Sequence, residues 1–317
     1  MSERITVIAL GGNALTQRGQ RGTFAEQYEN LKMAATKLAD LIDAGHKIVL
    51  THGNGPQVGA TLLRHEAARN TVPPLPLDAC GAETQGFIGY MLQQSLGNEL
   101  NSRGIQKHVV TIVTRTVVNK DDPAFRHPSK PIGPFYSRDD ANKIMVSRPE
   151  LVVKEDAGRG YRRFVPSPDP QIIAERFAIR TLVEAGFVVV ACGGGGIPVV
   201  EEGTQAAGVE AVIDKDLAGQ RLATLIGARL FVMLTDVPGV YLNYRTPKQE
   251  MITEITSGRL RNYLREGHFR KGSMAPKVEA AIRFVESGGD RSTIAHLGSL
   301  VEASEGRSGT NVSALKS

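Results

Sequence analysis

Three lysines stand where the chain has little freedom: Lys130 in "PSKPIGPFY", Lys215 in "VIDKDLA" and Lys277 in "GSMAPKVEAA". Most lysines are solvated surface charges, but a rigid turn or a helix start holds the ammonium in place. Several fixed cations are what phosphoryl transfer needs, because negative charge spreads over the phosphoryl oxygens in the transition state. Asp216, directly after Lys215, is suited to orient such ammonium groups. Asp214 is read only as a helix N-cap, an ordinary role for aspartate at a helix start. His52, before "GNGP", is read as structural and not as a catalytic base.

Backbone donors complement these cations. The run "ITVIAL" leads into Gly11, Gly12 and Asn13, "KIVLTH" into Gly53, Asn54, Gly55 and Pro56, and "FVVVAC" into Gly193 to Gly196. Glycine at a strand-to-helix turn permits positive φ and lets N–H groups approach an anion, and the following helix adds its dipole. One such turn is only a tight turn; three at one sheet edge point to an anion site.

The elements that must position these groups are legible in outline. Apolar runs ("ITVIAL", "KIVLTH", "HVVTIVT", "FVVVAC", "LFVMLTD", "STIAHL") alternate with helical periodicity such as "AEQYENLKMAATKLADLIDAG". Strands apolar on both faces and separated by helices predict a mainly parallel sheet covered on both sides. Ligands of such sheets lie at the carboxyl ends of the strands. Residues 119–166, rich in proline, glycine and charge, break the alternation and read as an insertion. Pro123, Pro128, Pro131 and Pro134 beside Phe135 and Tyr136 predict a stiffened excursion, suited to fold over a site.

Composition narrows the class. The 317 residues, 41% hydrophobic and 22% charged, suit a large α/β core. The N-terminal apolar run is too short for a signal peptide and nothing approaches a membrane span, so a soluble cytoplasmic protein is expected. The net charge of +5 favours an anionic partner, but dispersed basic residues, 5% aromatics and no tryptophan argue against nucleic acid. Cys80 and Cys192 lack zinc or disulfide spacing and are expected to be small buried hydrophobes. There is no GxxxxGK[ST], HExxH or GxSxG, and "GNGPQVG" is one residue too long for a dinucleotide fingerprint.

Together, "ALGGNAL", "THGNGPQVG", "KPIGPFY", "VPSPDP", "CGGGGIPV", "GVEAVIDKDLA", "LTDVPGVY" and "GSMAPKVEAAIRF" resemble the carbamate kinases of the amino-acid kinase superfamily, nearly end to end. The insertion carrying "KPIGPFY" marks this branch. The resemblance implies a three-layer α/β/α sandwich with a mainly parallel central sheet and a protruding subdomain at 119–166. It divides the chain into an N-terminal carbamate lobe, 1–212, and a C-terminal nucleotide lobe, 213–317. The implied reaction is reversible transfer between carbamoyl phosphate and ADP, giving ATP and carbamate, with Mg²⁺ held mainly by nucleotide phosphates and water and no protein metal site. A cytoplasmic homodimer is implied as well, with arginine metabolism among the possible pathways.

Carried over by motif, Gly11, Gly12 and Asn13 would donate N–H groups to the transferring phosphoryl, and Gly53, Asn54 and Gly55 would hold the carbamate. Lys215 and Lys277 would neutralise phosphate oxygens, Asp216 would position them, and Lys130 would reach in from the insertion. Asp236, Tyr244, Met274 and Pro276 would surround the nucleotide. Tyr161, Pro238, Arg270, Lys271, Ala275 and Asn311 depart from common family residues and bear on nucleotide affinity and base preference, not on the reaction class. Two alternatives are another acyl phosphate kinase of the superfamily and a non-catalytic nucleotide or anion binder. The second predicts a lost transfer lysine, and all three are present.

Overall fold

Strands apolar on both faces need cover on both faces, and the chain supplies it in alternation. A computed structural model describes residues 4–314 apart from Arg18, Ala157, Arg159 and Lys271, with the backbone alone at Asn13 and Pro134. The chain opens with β1 (Ile5–Leu10), α1 (Phe24–Asp43), β2 (Lys47–His52), α2 (Gly55–Ala68) and α3 (Leu77–Ser102). It continues through β3 (Val109–Thr111) and β4 (Arg115–Val118) into β5 (Lys130–Tyr136), α4 (Arg138–Ser147), β6 (Val152–Glu155) and β7 (Tyr161–Val165). Next come β8 (Pro170–Ile173), α5 (Arg176–Glu184), β9 (Val188–Val190), β10 (Ile197–Glu202) and β11 (Gln205–Gly208). Then follow α6 (Lys215–Leu225), β12 (Leu230–Thr235), β13 (Val240–Leu242), β14 (Glu250–Ile252), β15 (Glu254–Thr256) and α7 (Ser257–Arg265). The last elements are α8 (Met274–Glu286), β16 (Arg291–His296), α9 (Leu300–Ser304) and β17 (Thr310–Ser313).

Among the described residues eight strands form the central sheet, in the order β15-β17-β16-β12-β1-β2-β9-β3. Its pairs from β3 to β16 are parallel, and β17 runs antiparallel to β16. Successive residues of β1 point to opposite faces, and each face has its own core. Val7 and Ala9 pack with Ile179 of α5, Leu222 of α6 and Ala281 of α8. Ile8 and Leu10 pack with Leu38 of α1 and Ile88 of α3. The fold is therefore a three-layer α/β/α sandwich with a mainly parallel central sheet. Thr23 and Glu26 start α1 with a reciprocal capping box, and its buried Leu31, Ala34, Ala35, Leu38 and Ile42 recur at helical spacing. No helix among the described residues is long and apolar enough to cross a membrane.

The insertion forms a separate small sheet, β5-β7-β6, antiparallel throughout. Its root is the antiparallel pair β4–β8, which closes the excursion where it leaves the sandwich. Gly133 lies at φ 72°, where the β5–β7 register shifts. Arg162 donates to its carbonyl through both Nε and Nη2, at 3.1 and 2.8 Å, which stiffens the bend. Ile132 and Val165 pack against Val58, Leu77 and Cys80 of α2 and α3. Gly59 makes that approach possible, since a Cβ there would stand 2.9 Å from Gly133 Cα.

Candidate active site

The strand ends predicted to hold an anion meet in one cleft of about 810 Å³. Gly11 and Gly12 follow β1, Gly53 to Gly55 follow β2, Asp236 follows β12 and His296 ends β16, and all line it. From β1 the chain passes to β2 on one side, and from its other neighbour, β12, it moves away to β16, so the direction of connection reverses between β1 and β12, as at the ligand-binding edge of other open α/β sheets. Lys130, the first residue of β5, overhangs from the insertion. Lys215 and Asp216 enter from the first turn of α6, and Lys277 from the first turn of α8.

These charges form a connected chain. Lys277 Nζ donates to Asp216 Oδ2 at 2.6 Å. Lys215 Nζ donates to the Leu10 carbonyl at 2.8 Å and lies 3.6 Å from Asp216 Oδ1. That oxygen is buried without a hydrogen-bond partner, so the chain of contacts is left with one acceptor to spare. Lys130 Nζ donates to Asp214 Oδ2 at 2.7 Å. Lys215 lies close over Gly53: a Cβ there would sit 3.3 Å from its Cδ, a tight contact.

Burial and neighbouring charge shift the protonation of Lys215, Asp216 and His52. Desolvation pulls the Lys215 ammonium down to about 8, helped by Lys277 and Lys130 and opposed by Asp216 and Asp214. Burial by itself would raise the Asp216 carboxyl, but Lys215 and Lys277 outweigh it and hold the group below the usual carboxylate range. His52 is pushed down to about 4 by burial, and its Nδ1 donates to the Gly53 carbonyl at 3.0 Å. It is neutral and it shapes the turn, as its structural reading required.

Two expectations need correction. Asp214 does cap α6, accepting from the Asp216 and Leu217 N–H groups, but its other oxygen holds Lys130. It is more than a cap. The Gly193–Gly196 turn is chiefly a packing floor, since Cβ atoms there would collide with His52, Asn54, Ile213 and Thr116 in turn. The N–H groups of Gly195 and Gly196 are spent within the turn, and of the four only Gly194 lines the cleft.

The nucleotide-side residues divide. Asp236 lines the cleft, whereas Tyr244, Met274 and Pro276 do not; Tyr244 is half exposed against Tyr241 and Arg245. Asn13 lies in a turn of 3₁₀ helix, Gly12–Ala14, just past β1. Asn54 begins α2 and spends its side-chain amide on Thr84 Oγ1. Lys37, Thr235, Ser273 and His296 also line the cleft; sequence reasoning missed them because Lys37 is one of several helix lysines, Ser273 precedes α8 as an ordinary cap position, and Thr235 and His296 end β12 and β16 without a glycine turn to mark them. Lys271, one of the family departures, lies outside the described residues. Asn311 is buried beside β16, accepting from Thr293 Oγ1 and donating to the Gly306 carbonyl. Away from the cleft, His65, Cys80 and Glu83 bring ligand-type atoms within 4.8 Å of one another, although linear spacing showed no such group.

A sandwich of this topology, with lysines on two helix starts converging on glycine turns, defines a phosphoryl-transfer class, and known proteins agree. The chain matches the amino acid kinase family over residues 4–296, and it belongs to that family. Carbamate kinase from Pyrococcus horikoshii is 54% identical over 314 residues, 98% of this chain and 99% of that protein. Carbamate kinase from Thermococcus kodakarensis is 55% identical over 309 residues, 96% and 98% of the two chains. The structure of carbamate kinase from Giardia lamblia bound to AMP-PNP superposes with a TM-score of 0.93 at 42% identity, covering 99% of each chain. Within the family the chain is one of the carbamate kinases.

Proposed function

We propose that this kinase moves a phosphoryl group between carbamoyl phosphate and ADP in the cleft described above, reversibly. In the ATP-forming direction the bond between phosphorus and the carbamoyl oxygen breaks, a bond to a β-phosphate oxygen of ADP forms, and carbamate leaves as an anion. No proton has to be removed from either reactant, so the transfer requires no general base. The observation that carries the reading is the convergence of Lys130, Lys215 and Lys277 on the Gly11–Gly12 and Gly53–Gly55 turns.

Lys215 and Lys277 neutralise oxygens of the transferring group, and Asp216 keeps both ammonium groups aimed. The N–H groups of Gly11, Gly12 and Asn13 receive the phosphoryl; those of Asn54 and Gly55 receive the carbamate end, and Gly53, whose own N–H donates to the Leu10 carbonyl at 3.3 Å, shapes the turn beneath it. Asp236, Tyr244, Met274 and Pro276 are assigned to the nucleotide's surroundings. Of the carboxylates lining the cleft, Asp214 and Asp216 are committed to lysines, which leaves Asp236 alone. That donor set suits Mg²⁺ carried by nucleotide phosphates and not a resident metal. The ion supplies charge neutralisation on those phosphates when they bind.

The chain is assigned a carbamate lobe, 1–212, and a nucleotide lobe, 213–317. One continuous sheet joins the two, through Thr6–Ala9 of β1 paired with Leu230–Met233 of β12. Hinging them apart would break that ladder, so closure is assigned to the insertion at 119–166. A homodimer is proposed through the exposed aromatic face where Phe24 meets Tyr28 and Phe87, with Tyr90 also exposed; sedimentation at monomer mass would refute it. The central test is ATP formation from ADP, Mg²⁺ and carbamoyl phosphate, with Lys215→Ala alongside. Turnover by the native chain and its loss in the variant are expected. No turnover with nucleotide binding intact would overturn the reading.

A further inference from the structure

Asp214 joins the insertion to the helix that carries Lys215 and Asp216. Its Oδ1 accepts from the Asp216 N–H at 3.0 Å and from the Leu217 N–H at 3.5 Å, which is all that capping α6 requires. Its Oδ2 is left for another partner and takes the Lys130 ammonium at 2.7 Å, across 84 residues of sequence. Neither member is freely solvated: the side chains are 30% and 15% exposed. The pair is therefore less screened than an ordinary surface ion pair.

Lysine is a point charge on a flexible four-carbon stem, and Lys130 comes from the insertion's own sheet, separate from the central one. Other contacts seat that sheet elsewhere, such as Arg163 on Glu210 at 2.6 Å and Gly59 against Gly133, but they do not aim the ammonium. We propose that Asp214 is the positioning residue for Lys130, docking it over the cleft so that the remaining ammonium hydrogens face the anionic substrate. This rests on the phosphoryl-transfer reading above. An ammonium has three donors, so a docked Lys130 keeps two for substrate oxygens.

Asp214→Asn separates this role from capping, because asparagine caps helices about as well as aspartate but carries no charge. Initial rates of ATP formation are measured for the native chain, Asp214→Asn, Lys130→Met and the double variant, with melting curves for each. Expected are a fall of about tenfold in kcat/KM for carbamoyl phosphate in Asp214→Asn, an unchanged KM for ADP, and no further fall when Asp214→Asn is added to Lys130→Met. An unchanged kcat/KM, or an equal loss in both backgrounds, overturns the proposal. A second readout needs no turnover: acetylation of Lys130 by an N-hydroxysuccinimide ester, followed by mass spectrometry. It should run several-fold faster in Asp214→Asn, and an equal rate overturns the docking contact. Absence of ATP formation by the native chain, with Lys130 acetylation still responding to Asp214→Asn, would fault the functional reading alone.

Discussion

Raising the pH tests the buried charge of Lys215. Burial brings its ammonium from an ordinary 10.5 to about 8, so roughly nine-tenths is charged at pH 7 and roughly one-tenth at pH 9. If the ammonium neutralises the transferring phosphoryl, kcat/KM for carbamoyl phosphate falls about tenfold over that interval, since this ratio reports the free enzyme. The decline in kcat lies at higher pH, because bound phosphates favour the charged form. Other shifted groups lie outside the window: His52 is down at about 4, and burial lifts Cys80 to about 11 and Cys192 to about 12. Lys215→Arg keeps its charge throughout, so its profile, at whatever lower rate, should be flat from pH 7 to 9. A decline near pH 8 that persists in the arginine variant, or none in the native chain up to pH 9, refutes the assignment.

The same shift has an opposite consequence for stability. Between about 8 and 10.5 the unfolded chain holds a proton on Lys215 that the folded chain has released, so stability rises with pH across this window. The charged lysine is thus a penalty at neutral pH, carried in full below about 8 and relieved as the pH climbs. Relative to Lys215→Arg, the native chain should gain about 3 kcal/mol across the window, read from denaturant midpoints at each pH. Activity and stability then move in opposite directions because one charge is costly to bury and necessary to the reaction.

Lys277→Ala removes the 2.6 Å partner of Asp216 as well as a cation facing the cleft. Its kcat should drop about 10²–10³-fold with a cooperative melt retained, and near-native turnover would exclude it from the transfer. Gly59→Ala places a Cβ 2.9 Å from Gly133 Cα and 3.1 Å from its nitrogen, and backbone cannot yield as a side-chain tip can. The insertion is displaced, so the KM for carbamoyl phosphate should rise several-fold while that for ADP holds; equal changes in both would mean that the insertion does not serve the carbamate end.

How much of this was legible follows from distance along the chain. Strand alternation, the helical periodicity of α1 and the glycine turns are local patterns, and they were readable from residues a few positions apart. The contacts that give the lysines direction are not local. Lys215 meets the Leu10 carbonyl across 205 residues, and Lys277 meets Asp216 across 61. The glycine run at 193–196 shows a further limit. It says that side chains are unwelcome there, but a ligand's approach and the approach of His52 or Asn54 leave the same mark in sequence.

Asp214 shows the limit most sharply, because its local role was real and sufficient and therefore hid the distant one. An aspartate that only capped α6 would leave its second oxygen, Oδ2, unused beside the Lys130 ammonium. Placing that oxygen on Lys130 turns a capping residue into a link between the insertion and the helix start that bears Lys215 and Asp216. The ordering of negative groups matters as much as their number. Asp216, deep between Lys215 and Lys277, keeps two cations close without their repelling each other apart, while Asp214, nearer solvent, restrains the cation that comes from the insertion. An anion entering the cleft meets lysines already held apart and aimed, so less of its binding energy is consumed in gathering them.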